Sequence, residues 1–129
     1  MKILLDTHYL IWALNDSPRL TDKDRELLLD SGNEIFYSTI SIWEIAIKSI
    51  KHKSMKKLPE LIDKLSVEAG FNEVKLDKKH IFEVSKLKNL KNHKDPFDKM
   101  LLSQAKCENY KLLTKDEKLL SYDEQCILK

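Results

Sequence analysis

The sequence predicts an α/β protein with a central parallel sheet of four to five short strands and helices on both faces. Three observations carry this. Short β-prone runs recur at 2–6, 34–38, 71–76, 111–114 and 125–129. Between them lie longer stretches whose apolar residues fall at helical spacing. Strands that alternate with helices pair in parallel, because each crossover helix returns the chain to the same edge of the sheet.

The elements follow in order. "KILLD" (2–6) is an apolar run with a charged end, as expected of a buried strand. "THYLIWALN" (7–15) has helical spacing and stops at "DSPRL". Thr21 can cap a helix over "DKDRELLLDSG", which ends near Gly32. "EIFYS" (34–38) is the second strand and "SIWEIAIKSI" (41–50) the helix after it, with Ile42, Ile45, Ala46 and Ile50 as its core stripe. A helix over 58–69 stops at Gly70. "FNEVKL" (71–76) is a strand, and Asp77 can cap a helix through "KKHIFEVSKLKNL". "DPFDKMLLSQAKCENY" reads as a helix, with Asp95 at the cap and Pro96 at the favoured first position. "KLLT", a short helix over "DEKLLSY" and a last strand "QCILK" complete the chain.

At 129 residues the chain suits a single domain (1–129) with a real core. Two glycines and three prolines argue against linkers and low-complexity segments. No apolar run approaches the ~20 residues of a membrane helix. The N-terminal apolar run is broken by Asp6 and does not read as a signal peptide, so a cytoplasmic, membrane-free protein is expected. Cys107 and Cys126 form no metal-ligand pattern and read as core fillers. The four histidines are scattered, which gives no support to a zinc site or a triad. There is no glycine-rich phosphate loop and no G-x-S-x-G elbow.

In parallel sheets ligands bind beyond the carboxyl ends of the strands, where the strand order reverses. Asp6 closes the first strand, and Asp116 lies just past the fourth. Asp98 and Glu44 fall in the first turns of their helices. Each has an ordinary alternative. Asp6 and Asp116 can cap helices, and Asp98 suits the positive end of a helix dipole. "SIWE" (41–44) fits a capping box in which Glu44 bonds the Ser41 amide, and Lys48 can pair with Glu44 one turn on. As a set, the four acids point to a hard cation, because clustered carboxylates otherwise repel. Magnesium suits oxygen ligands and phosphate chemistry, and two such ions can activate a water and stabilise a leaving oxygen.

Net charge is only +2, yet 48–57 and 86–94 hold lysines and no acid. They are either a solvated face or a track for phosphates, with Lys48, Lys51, Lys53, Lys91 and Lys94 as the candidate contacts.

"ILLDTHYLIWAL", "STISIWEIAIK", "HKDPFDKMLLSQA" and "LLTKDEKL", in that order, resemble the PIN domain family, most closely its VapC-like toxin nucleases. The resemblance implies a three-layer α/β/α fold and a magnesium- or manganese-dependent endoribonuclease. It implies that Asp6, Glu44, Asp98 and Asp116 are its catalytic and metal-binding acids. Asp95 belongs to the third motif, and Thr7 and Thr114 border the acids as supporting residues. It also implies an RNA substrate, a cognate antitoxin and, commonly, a homodimer. The rival from another class is a noncatalytic PIN-like RNA- or protein-binding module, which a divalent-ion titration would distinguish.

Overall fold

The structure, a computed structural model, describes residues 1–52, 57–88, 93–122 and 124–128. In chain order it runs β1 (Lys2–Leu5), α1 (Thr7–Leu14), α2 (Asp22–Leu29), β2 (Glu34–Ser38), α3 (Thr39–Ser49), α4 (Leu58–Glu68) and β3 (Asn72–Val74). It continues with α5 (Lys78–Val84), α6 (Pro96–Glu108), β4 (Lys111–Leu113), α7 (Glu117–Leu120) and β5 (Ile127–Leu128). The five strands form one sheet in the order β3-β2-β1-β4-β5, every neighbouring pair parallel. Helices flank it on both faces in the expected three layers.

Strand periodicity builds the layers. Ile3 and Leu5 of β1, Ile35 and Tyr37 of β2 and Leu113 of β4 face one side, where they meet Tyr9, Leu10, Ile45 and Ile62 from α1, α3 and α4. Leu4, Phe36 and Leu112 alternate to the other side and meet Leu101, Leu102 and Ala105 of α6 and Leu119 of α7. A fully buried strand must be apolar on both faces, which is why β1 reads as a continuous run. Ile3, Leu4 and Leu5 are 0% exposed.

The chain leaves β1 toward β2 and β3, then returns to place β4 and β5 on the other flank of β1. The order therefore reverses at β1. Leu5 pairs with Leu113, so the residues that follow, Asp6 and Thr114, emerge side by side at the carboxyl edge.

Local chemistry set most boundaries as expected. Thr21 and Asp24 form a capping box on α2, Asp77 caps α5, and Asp95 caps α6 ahead of Pro96. Asn109, with φ 60°, ends α6 in the left-handed conformation that asparagine tolerates.

Three details differ. β1 stops at Leu5, because Asp6 turns out of the sheet to cap α1. α5 ends at Val84, well short of residue 90, where the Ser85 hydroxyl turns back to the Phe82 carbonyl. α3 begins at Thr39, directly off β2, because Ser38 caps it through the Ile40 amide. The expected stripe holds only in part: Ile45 is buried, whereas Ile50, the C-cap residue of α3, is 78% exposed. Both cysteines are free and only half-buried, so neither is a full core residue. No helix of the described residues is long and apolar enough to cross a membrane.

Candidate active site

Asp6 and Thr114 anchor the crevice. The Asp6 carboxylate accepts from the Tyr9 amide at 2.8 Å and from the Thr114 hydroxyl at 2.6 Å. The Thr114 hydroxyl also accepts from the Asp116 amide at 3.0 Å, which ties the β4 exit to Asp116. Asp116 caps α7, accepting from the Lys118 and Leu119 amides. Burial pushes the Asp6 carboxyl above its usual range, opposed by the bonds from Thr114 and Tyr9.

Glu44 answers differently from its sequence. With α3 starting at Thr39, Ser41 and Glu44 lie inside the helix, so the capping box does not form. The Glu44 carboxylate is buried and accepts from the Thr7 hydroxyl at 2.6 Å and the Lys48 ammonium at 2.7 Å. Thr7 also donates to the Ser41 hydroxyl at 3.0 Å. A carboxylate is tolerated in this isoleucine-rich helix because each oxygen has a donor. Lys48 is held in its charged form first by the Glu44 bond, with Asp95 and Asp98 adding to it.

Asp98 is where the acids meet. Its carboxyl is pushed up to about 7, first by burial and then by the charges of Asp95, Asp116, Glu44 and Asp6. Five acids from four segments thus act on one crevice. Asp95 itself is committed to the Phe97 and Asp98 amides.

Behind Asp98 stand two groups that sequence reasoning missed, His93 and Tyr122. His93, 1% exposed, has Nε2 at 3.4 Å from Asp98 and Nδ1 at 2.8 Å from the Tyr122 hydroxyl. Burial lowers the His93 pKa and raises that of Tyr122, so Tyr122 keeps its proton and donates it to Nδ1. The Nε2–H then faces Asp98. The one available signal was a histidine two residues before Asp95.

Among the described residues, no three His, Cys, Asp or Glu side chains stand grouped closely enough to hold an ion as they are. The acids bond instead to hydroxyls, amides and a lysine. The donor set is nonetheless all oxygen, which suits a hard divalent cation. Of the expected phosphate contacts, Lys48 is bound to Glu44, while Lys51 and Lys94 are exposed. Lys53 and Lys91 lie outside the described residues.

Beside Asp6 and Asp116 lies an open depression of about 250 Å³, walled by His8, Trp12, Arg19 and Lys115.

Fold and site together define a parallel α/β protein with an acidic crevice at the switch point of its sheet. The chain belongs to the PIN domain family, whose pattern matches residues 3–125. Among solved structures it is similar to VapBC2 from Rickettsia felis bound to a DNA fragment from their promoter. There the TM-score is 0.72 and the identity 22%, over 99% of this chain and 96% of that one. It is also similar to DNA-bound VapBC from Salmonella typhimurium (TM-score 0.68, 14% identity, 93% and 90% covered). VapBC-1 from nontypeable Haemophilus influenzae is a third (TM-score 0.64, 18% identity, 93% and 90% covered). No curated protein matches it in sequence.

Proposed function

We propose that the chain is a single-domain, cytoplasmic VapC-like toxin: an endoribonuclease that hydrolyses RNA phosphodiesters with magnesium or manganese. The observation that carries this is the set of acids at the switch point of the sheet: Thr114 ties Asp6 to Asp116, Thr7 and Lys48 hold Glu44, and their charges, with that of Asp95, add to burial in raising the Asp98 carboxyl. Such a cluster is costly unless a cation relieves it.

Asp6, Glu44, Asp98 and Asp116 would hold the ion. Once bound, it supplies water activation and neutralises charge on the phosphate. The protein's part is positional. Thr114 and the Tyr9 amide fix Asp6, and Thr7 fixes one oxygen of Glu44. Asp116 is set by the start of α7. Lys48 neutralises the second Glu44 oxygen and can turn from it toward a phosphate. Exposed Lys51 and Lys94, with Lys53 and Lys91, would lead the RNA backbone to the crevice.

The structural likeness to VapBC proteins supports a cognate antitoxin as partner. A homodimer is the assembly we expect.

RNA cleavage should require magnesium or manganese and stop with EDTA; full activity after rigorous chelation would overturn the reading. Glu44→Gln supplies a finer test, because no cap depends on this side chain. The variant should keep its fold while losing both cleavage and most of the magnesium-induced rise in melting temperature. Near-normal cleavage with an undiminished magnesium shift would remove Glu44 from the site.

A further inference from the structure

We propose that the depression beside Asp6 and Asp116 is a nucleotide subsite. It would receive an unpaired nucleotide next to the scissile phosphate, its base on the Trp12–His8 stack and its phosphate on Arg19. The inference rests on the ribonuclease reading and adds to it the residues that would seat the nucleotide beside the cut.

The platform is built by α1. His8 and Trp12 are one helical turn apart, with ring centroids 5.9 Å apart and planes 23° from parallel. Tyr9 meets Trp12 edge-on at 5.2 Å and 62°, and a hydrogen bond to Asp24 at 3.1 Å holds Tyr9 in turn. The indole is therefore braced from below, while the His8 ring is exposed. Unpaired bases stack on such surfaces, whereas a duplex keeps its bases turned inward.

The charges are distributed to suit. Lys115 sits 5.7 Å from the Trp12 ring and 5.4 Å from that of Tyr9. Its ammonium is already committed to Asp24 at 3.2 Å and to the Arg19 carbonyl at 3.0 Å. It works as a pillar that fixes the Arg19 backbone. The Arg19 guanidinium lies 5.7 Å from the Trp12 ring, is exposed, and has no ion pair among the described residues. An arginine laid against an aromatic face, beside acids that would otherwise repel a phosphate, supplies the missing attraction. The wall shared with Asp6 and Asp116 puts the nucleotide directly beside the proposed reacting phosphate.

The test uses Trp12 as its own reporter. The chain has two tryptophans, so Trp43→Phe leaves Trp12 as the sole indole. A hexaadenylate is titrated into this protein in EDTA, so that no cleavage occurs. Saturable quenching of Trp12 is expected. Read by the anisotropy of a fluorescein-labelled hexaadenylate, Trp12→Leu, which keeps an apolar side chain against the core, should weaken binding about tenfold, and Trp12→Phe far less. Arg19→Ala should lower the salt slope of binding by roughly 0.7. Absence of quenching, or equal affinities for the leucine and phenylalanine variants, would overturn the subsite. So would quenching equally strong with a duplex of the same length. Cleavage is measured separately with magnesium. Loss of the Trp12 effects in an active enzyme would defeat the subsite alone. Intact Trp12 effects without any metal-dependent cleavage would support the subsite and defeat the ribonuclease reading.

Discussion

Two buried histidines in this molecule make the same kind of pair, yet the carboxyls they face are shifted in opposite directions. His80 and His93 are each 1% exposed. Each has Nδ1 occupied, by the Asp77 amide and the Tyr122 hydroxyl, and each turns Nε2 to a carboxylate, Glu108 at 3.0 Å and Asp98 at 3.4 Å. Glu108 also bonds Lys79 at 2.8 Å, and that bond, followed by the one from His80, holds its carboxyl below the usual range. Asp98 has four other acids around it and rises to about 7. The histidine is therefore not what marks a site. The remaining neighbours of the carboxylate do: a satisfied pair staples α5 to α6, and an unsatisfied one lies in the proposed metal site.

The largest expected effect is at Asp98. Asp98→Asn should lower RNA cleavage by roughly a hundredfold to ten-thousandfold in a steady-state assay. It should also stabilise the metal-free protein. A carboxyl raised from 3.8 to about 7 keeps its proton in the folded state where the unfolded chain has lost it. Metal-free stability is then greatest below the ordinary carboxylate range and declines as pH rises toward 7. Denaturant melts of Asp98→Asn should lack that decline and exceed wild type by ~1–2 kcal/mol at pH 8, after allowance for screening where the crevice opens to solvent. A wild-type protein that gains stability from pH 5 to 8 in EDTA would contradict this.

The histidines themselves come next. His93→Gln should weaken divalent affinity about 10- to 100-fold by calorimetry, as loss of a residue orienting a ligand does. His80→Gln should cost ~1–3 kcal/mol of stability and leave that affinity unchanged. Equal effects of the two variants on divalent binding would erase the contrast.

The smallest effect is at Glu108. Its lowered carboxyl contributes stability above the ordinary carboxylate range, lost as pH falls through its folded value. Because this group is partly solvated, Glu108→Gln should cost only ~0.5–1 kcal/mol at pH 7, and the gap to wild type should close in acid melts. A gap that widens toward acid would show that Lys79 and His80 do not hold the carboxylate.

The layers and the positions of the acids were legible because they follow from local rules. Strand alternation, Thr21, Asp77 and Asp95 as caps, and a switch point at β1 all leave marks within a few residues. Glu44 was misplaced within its helix for an equally local reason. Two serines compete as caps, and Ser38, at the strand exit, wins over Ser41. What no local pattern carries is pairing across the chain. Thr7 reaching Glu44 spans 37 residues, and His93 reaching Tyr122 spans 29. Lys115 likewise lies 96 residues from Arg19, and only the fold puts both with Trp12 around one depression.

The hydrogen bond from Thr114 to Asp6 joins residues 108 positions apart. On the ribosome β1 is made long before β4, so until β4 emerges β1 has an open edge on that side and Asp6 lacks its Thr114 partner. Contacts this distant in sequence form late and slowly. The nascent chain therefore carries no assembled crevice until β4 is made, and a chain truncated before residue 114 has none. The site comes into being only when β4 docks beside β1.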